Sequence, residues 1–238
     1  MARTPVIIAW SGGKDCTLAL HDILRGDEYE PAALLTTVTG GYDRISMHGV
    51  RRSLLQLQAS ALDIPLHEVA IAPNADNDEY ERAMARALST LCTRTPAIAG
   101  VVFGDLFLRD IREYRERQLA RAELRAIFPI WERDTREMAG RFIELGFRAV
   151  VVCVDSTQLD GSFAGREFDA SFVADLPDGV DPCGENGEFH TFVYDGPLFA
   201  TPVAHARGEI VVRDERFHYA ELLDIVASKS PCTNRSRP

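Results

Sequence analysis

The 238-residue sequence lacks the features of several specialised classes of protein. It has no apolar run of transmembrane length, and its first apolar run, Pro5–Trp10, is too short for a signal peptide. Its five cysteines are scattered, with no CxxC pair and no Cys/His spacing typical of zinc ligands. An odd number of scattered cysteines argues against a disulfide framework. We therefore expect a cytoplasmic protein with no membrane partner.

Basic residues are also scarce, since 26 Lys and Arg face 36 Asp and Glu, for a formal net charge of −10. Proteins that wrap DNA carry the opposite balance, because neutralising phosphates supplies most of their affinity. The composition therefore predicts no DNA partner. Lysine itself is nearly absent and occurs only at Lys14 and Lys229. Lys14 stands out because a compact ammonium is present there in a chain that otherwise uses arginine.

Short apolar runs alternate with amphipathic segments over the first part of the chain. Pro5–Trp10 leads through Ser11-Gly12-Gly13 into a predicted helix that ends at Gly26. The same unit recurs with strands at 32–38, 66–71 and 97–103 and helices at 50–62 and 78–92. This alternation predicts an α/β fold with a doubly wound parallel sheet.

The alternation of predicted strands and helices ends near Ile130. A short predicted helix and segments typical of β-ribbon follow it. We therefore expect two domains, residues 1–130 with the parallel sheet and residues 131–238 as a smaller α+β domain. An arginine-rich stretch before this boundary is predicted as one helix with a solvated face, because acidic residues are interleaved with the basic ones. Its arginines include Arg109, Arg112, Arg117, Arg121 and Arg125.

The segment between the first strand and the first helix has the composition of an anion-binding loop. Glycines allow a sharp turn and a close approach of the backbone, and helix N-terminal amides hold anions. Lys14 adds a positive charge, and Asp15 is a candidate ligand for a divalent cation. We predict a pyrophosphate-binding loop made of Ser11, Gly12, Gly13, Lys14, Asp15 and Cys16. It is not a Walker A loop, which requires GxxxxGK followed by Ser or Thr.

The SGGKD sequence of this loop resembles that of the PP-loop ATP pyrophosphatases, whose members split ATP between the α and β phosphates. Cys16 departs from the pattern, because the usual residue there is serine. Either the serine contact is dispensable or the backbone amide replaces it; in a further interpretation, the helix N-terminus lowers the pKa of Cys16 and makes it a catalytic thiolate.

A second dense group of polar residues lies between Asp181 and Val193 (DPCGENGEFHTFV). The candidate catalytic residues in it are Glu185, Glu188, His190 and Thr191. GENGEFHT followed by Gly-Pro-Leu-Phe at 196–199 resembles the signature of the diphthine–ammonia ligase family. Shorter agreements within residues 6–200 are Met47-His48-Gly49, Phe103-Gly104-Asp105-Leu106, Pro129-Ile130-Trp131 and Gly165-Arg166.

The resemblance implies an amide ligase that uses ATP and Mg²⁺ and releases AMP and pyrophosphate. In this family ATP adenylates diphthine on the translation elongation factor, and ammonia then displaces AMP. Glu185 or Glu188 would deprotonate ammonium or hold Mg²⁺, His190 would donate to the carboxylate or act as a base, and Thr191 would orient a reactant. Gly104 and Asp105 end a predicted strand at the ligand edge of the sheet, which adds them to the candidate ATP-binding residues with a metal or adenosine role. His48, just ahead of a predicted helix, is a candidate for contact with nucleotide or substrate, or else a capping or surface residue. The resemblance makes residues 1–130 the ATP-binding domain and 131–238 the acceptor-binding domain.

Three points stay open at the level of sequence. The acceptor is a carboxylate on a protein such as an elongation factor, or a different carboxylate altogether. A nucleotide-sensing module and a hydrolase acting at the α-phosphate are the alternative functions. The oligomeric state is not indicated.

Overall fold

The computed structural model describes residues 2–41, 44–45 and 49–225. The strands are β1 (Thr4–Ala9), β2 (Tyr29–Thr39), β3 (Arg44–Ile45), β4 (Leu66–Ile71), β5 (Gly100–Val102), β6 (Arg125–Ile127), β7 (Arg148–Asp155), β8 (Phe189–Asp195), β9 (His205–Arg213) and β10 (Phe217–Asp224). The helices are α1 (Lys14–Arg25), α2 (Arg52–Leu62), α3 (Asn77–Arg94), α4 (Arg109–Ala120), α5 (Thr135–Glu144) and α6 (Ala170–Asp175).

The first sheet confirms the predicted doubly wound architecture. Its parallel strands run in the order β4-β2-β1-β5-β6, and the short β3 pairs antiparallel with the end of β2. β1 is central, so Val6, Ile7 and Ile8 are fully buried on both faces, which explains its continuous apolar sequence. The strand order reverses between β1 and β5. The loops after these two strands therefore diverge and leave a crevice at their carboxyl ends.

The second sheet is antiparallel, in the order β8-β7-β10-β9. It shares a core with the first sheet, because Ile8 of β1 belongs to the same buried cluster as Val152 of β7 and Phe192 of β8. A hydrogen bond from the Val193 amide to the Gly12 carbonyl, 2.9 Å long, joins β8 to the loop after β1. The second sheet thereby places the start of β8 beside the crevice of the first.

The arginine-rich stretch is not one helix, so that prediction is wrong. α4 ends at Ala120, Glu123 takes a left-handed backbone (φ 57°), and Arg125 begins β6. The chain leaves the helix because Leu124 and Ala126 pack into the core beside β5 as β6 extends the sheet. No helix in the described part of the chain is long and apolar enough to cross a membrane. His48 lies outside the described residues.

Candidate active site

The loop after β1 turns at Gly12, whose φ of +81° favours glycine. A Cβ atom there would lie 2.7 Å from Gln58 Oε1 and 2.9 Å from a methyl carbon of Leu55. α1 then begins at Lys14, so its N-terminal turn faces the crevice. Of the two glycines that the sequence singled out, Gly12 therefore has a steric role in forming this loop.

Gly104 and Asp105 lie beside the same loop. A Cβ atom on Gly104 would come within 2.6–2.8 Å of backbone atoms of Asp15 and Cys16, so the end of β5 packs directly against the first turn of α1. Asp105 accepts a hydrogen bond from Arg115 of α4 at 3.0 Å. The guanidinium carbon of Arg115 also lies 4.3 Å from the centre of the Phe103 ring. Arg115 is not among the site residues predicted from the sequence.

The Lys14 ammonium is buried and paired. It donates to both carboxylate oxygens of Asp15, at 2.9 and 2.8 Å, and to the carbonyl of Cys183. The rings of Phe168 and Phe189 lie 5.7 and 5.6 Å from its nitrogen. Burial by itself would lower the pKa of Lys14, but Asp15, Cys183 and Glu185 together outweigh burial and raise this pKa above its ordinary value. Lys14 thus links the loop after β1 to the 181–188 segment as a cation.

The Cys16 thiol is enclosed by its own loop. It donates to the Gly13 carbonyl at 3.1 Å and lies 3.5 Å from Ser11 Oγ. Burial raises the pKa of Cys16, which is the opposite of the change that an activated thiolate needs. This geometry favours the interpretation in which Cys16 occupies the serine position without acting as a nucleophile.

Thr191 and Glu188 are both buried, and both hold the site together. Thr191 Oγ1 accepts a hydrogen bond from the Lys14 amide at 3.0 Å, across 177 residues of sequence. Glu188 accepts from the Asp181 amide at 3.0 Å and from the amide and side chain of Asn186 at 2.9 and 3.0 Å. Because these donors turn the Glu188 carboxylate into its own loop, it does not line the cleft beside His190, where an extended strand would place it.

Glu185 and His190 do line the cleft. Glu185 accepts hydrogen bonds from the amides of Leu106 and Phe107 at 2.7 and 3.3 Å. Burial, together with the nearby Asp15 carboxylate, raises the pKa of Glu185 to about 7. Burial also lowers the pKa of His190 to about 4, so its imidazole is neutral at neutral pH. The cleft therefore contains a carboxylate that exchanges a proton near pH 7 and an uncharged imidazole.

The cleft has a volume of about 590 Å³, within the usual range for small-ligand sites. Its polar end is formed by the loop after β1, by Asp105 and by the 183–191 segment. Its apolar end is formed by side chains of α3 and α4, among them Tyr80, Met84 and Ile111. Among the described residues, no group of three or more His, Cys, Asp or Glu side chains could hold a metal ion.

A residue that the sequence analysis missed, Gln58, bonds to both halves of the site. Its side-chain amide donates to the carbonyls of Gly12 and Val193 and accepts from the Trp10 indole. The signal in the sequence was a polar residue at helical spacing from the buried Leu54 and Leu55 on an otherwise apolar face.

Comparison with known families agrees with this arrangement. The family model of the diphthamide synthase N-terminal domain matches residues 4–126, and that of the C-terminal domain matches residues 134–221. The chain belongs to the diphthamide synthase family. The predicted family resemblance is thereby confirmed.

The relatives of the chain within this family include proteins named diphthine–ammonia ligase. The one from Schizosaccharomyces pombe is 25% identical over 84% of this chain, which spans only 36% of that relative. The human protein is 25% identical over 85% of this chain and 83% of its own length, and the Danio rerio protein 26% over 86% and 88%. The expected ligase class agrees with these names.

One solved structure shows a weaker likeness. It is a predicted subunit of a tRNA methyltransferase from Methanocaldococcus jannaschii, 15% identical over 79% of this chain and 96% of its own. The TM-score of 0.40 is too low to carry an argument.

Proposed function

We propose that this protein is an ATP-dependent ligase that adenylates a carboxylate, transfers ammonia to it, and releases AMP and pyrophosphate. The observation that carries the proposal is the meeting of the two sequence motifs in one cleft, where the Lys14 amide donates to Thr191 Oγ1. A loop suited to a polyphosphate and a segment with acid–base groups thus face the same space. The names of the relatives support the reaction class.

The lining of the cleft supports one orientation of ATP in this proposal. The N-terminal turn of α1 and the glycine loop suit the phosphates, and the apolar end between α3 and α4 suits the base. In this proposal Lys14 exchanges its present partners for phosphate oxygens. Residues 1–130 then supply the nucleotide site, and residues 131–238 supply the groups that face the acceptor.

The carboxylates near the loop fit Mg²⁺ only as an ion held mainly by ATP phosphates. Asp15 is paired with Lys14, and Asp105 with Arg115. Mg²⁺ commonly keeps one or two protein carboxylates beside phosphates, and Asp15 is the candidate here. The ion would neutralise phosphate charge when bound.

Glu185 and His190 are the groups we assign to acid–base work. A carboxylate with a pKa of about 7 takes a proton from ammonium more readily than an ordinary glutamate does. The neutral His190 imidazole is suited to a hydrogen bond with the acceptor carboxylate. Thr191 and Glu188 hold the backbone of this segment in place.

Product analysis by mass spectrometry tests the proposal. The protein is incubated with ATP, Mg²⁺ and ammonium, and with a diphthine-bearing elongation factor or a panel of other carboxylates. We expect AMP, pyrophosphate and an amidated acceptor. ADP and orthophosphate as primary products would contradict the assignment. AMP without an amide would support the hydrolase, and binding without turnover would support the sensor.

A pair of histidine variants separates the ligase from the sensor. His190→Ala should lower acceptor-dependent AMP release by about 10²–10⁴-fold while ATP affinity stays nearly unchanged. The control is His67→Ala, because His67 lies on β4 and does not line the cleft. Equal rates for His190→Ala and the parent would remove His190 from the mechanism.

A further inference from the structure

Gln58 of α2 is a fully buried polar side chain that does not line the cleft. Its Oε1 atom accepts a hydrogen bond from Trp10 Nε1 at 3.0 Å. Its Nε2 atom donates to the Gly12 carbonyl at 3.0 Å and to the Val193 carbonyl at 2.5 Å. One primary amide therefore uses its acceptor and both of its donors.

These bonds join the two segments that the proposed reaction brings together. Gly12 lies between Ser11 and Gly13, which line the cleft. Val193 lies on β8, two residues after Thr191. The Val193 amide also donates to the Gly12 carbonyl, so this carbonyl is bound by Gln58 and β8 together. The relative position of the loop and of β8 depends on this arrangement.

We propose that Gln58 is a positioning residue, which sets the distance between the ATP loop and the groups of β8 that face the acceptor. This inference rests on the proposed function. Removing the amide leaves the Val193 carbonyl without this donor and leaves the bond from the Val193 amide to the Gly12 carbonyl without the support of Gln58, so the two segments are held less firmly and can shift relative to each other. A displacement of about 1 Å between reacting groups can cost on the order of 10²-fold in rate.

Gln58→Met tests the inference, because methionine keeps the unbranched shape and provides no N–H donor. The matched control is Gln56→Met, since Gln56 lies on the exposed side of the same helix and bonds to Glu68. The assay is steady-state AMP release with Mg²⁺-ATP, ammonium and a diphthine-bearing elongation factor. We expect kcat to fall on the order of 10²-fold, with a much smaller change in the KM for ATP. Gln56→Met should match the parent.

A spectroscopic readout reports the local change directly. The Trp10 indole N–H loses its acceptor in Gln58→Met, so its resonance in a ¹⁵N-labelled NMR spectrum should move. The protein has two tryptophans, and Trp131 provides the internal reference. The Trp131 resonance should stay in place.

Gln58→Glu is the second variant, in case the methionine variant folds poorly. A carboxyl group keeps the acceptor for Trp10 but donates to a carbonyl only when protonated. The ratio of variant to parent kcat should therefore increase as the pH falls from about 8 to about 6, because burial favours the protonated form. Titratable groups on the two joined segments are present in both chains, so the parent measured at each pH is the control for their titration; they are Lys14, Asp15, Cys16, His190, Tyr194 and Asp195.

Either of two results would overturn the inference. The first is a folded Gln58→Met protein with the kcat of the parent, or with a loss no larger than its loss of folded fraction. The second is a Gln58→Glu ratio that does not change with pH. A parent chain that forms no AMP would instead refute the proposed function, and the role of Gln58 with it.

Discussion

Glu185→Gln is expected to stabilise the protein at alkaline pH while it abolishes the proposed base. Glutamine keeps an oxygen acceptor for the Leu106 and Phe107 amides, which lie 2.7 and 3.3 Å from Glu185 Oε1. The substitution removes a negative charge near Asp15 and Asp105, both of which contribute to the raised pKa of Glu185 after burial. The local structure should therefore survive the change.

The size of the effect follows from the pKa difference between the folded and unfolded states. Burial raises the pKa of Glu185 from 4.5 to about 7, which corresponds to about 3 kcal/mol at full effect. Because the Glu185 side chain is partly exposed, the expected contribution to the free energy of unfolding is smaller, about 2 kcal/mol. The folded state of the parent holds the Glu185 proton more tightly than the unfolded state does. The contribution of this proton to the free energy of unfolding of the parent is therefore fully present below about pH 4.5 and is lost as the pH rises through about 7.

Urea denaturation of parent and variant between about pH 5 and pH 8 measures this difference. The free energy of unfolding of Glu185→Gln should exceed that of the parent by an amount that grows with pH. Glu144→Gln, an exposed position on α5, is the control and should show no such growth. A pH-independent difference, or a variant less stable than the parent at about pH 8, would refute the reasoning.

The same variant has a kinetic consequence. If the ionised Glu185 accepts a proton from ammonium, parent kcat/KM should fall on the acid side of about pH 7. Glu185→Gln should lower acceptor-dependent AMP release by about 10²–10⁴-fold. An unchanged rate in this variant would assign the base to another group.

Three further substitutions test the loop after β1. Lys14→Met leaves the Asp15 carboxylate without its cation, so the free energy of unfolding measured in urea should fall by about 2–4 kcal/mol. Calorimetry should also show weaker binding of Mg²⁺-ATP. Unchanged stability and unchanged affinity would exclude both the structural role and the ATP-binding role of Lys14. Cys16→Ser should keep its turnover, because a hydroxyl can donate to the Gly13 carbonyl as the thiol does, whereas complete loss would support a thiolate. Gly104→Ala places a Cβ atom within 2.6–2.8 Å of α1 backbone atoms, so urea denaturation should show a loss of about 1–3 kcal/mol, and parent-like stability would contradict this packing.

The sequence by itself determined the parallel sheet and the position of both motifs. A central strand buried on both faces must be continuously apolar, and Val6–Ile8 of β1 show this pattern. Gly12 has a left-handed backbone for which glycine is favoured, so its turn is encoded locally. These features depend on near neighbours in the chain, which is why periodicity and composition predicted them.

Only the tertiary structure decided how the side chains pair. Lys14 bonds to the Cys183 carbonyl, and Gln58 bonds to Val193, across 169 and 135 residues of sequence. The sequence placed Glu188 among the candidate catalytic residues with His190, but the Asn186 amide and side chain hold the Glu188 carboxylate in its own loop. Such contacts depend on the position of β8 relative to the loop after β1, and packing of the two sheets sets that position. A one-residue shift of a strand exchanges its faces, so local sequence alone does not specify which groups meet in the cleft.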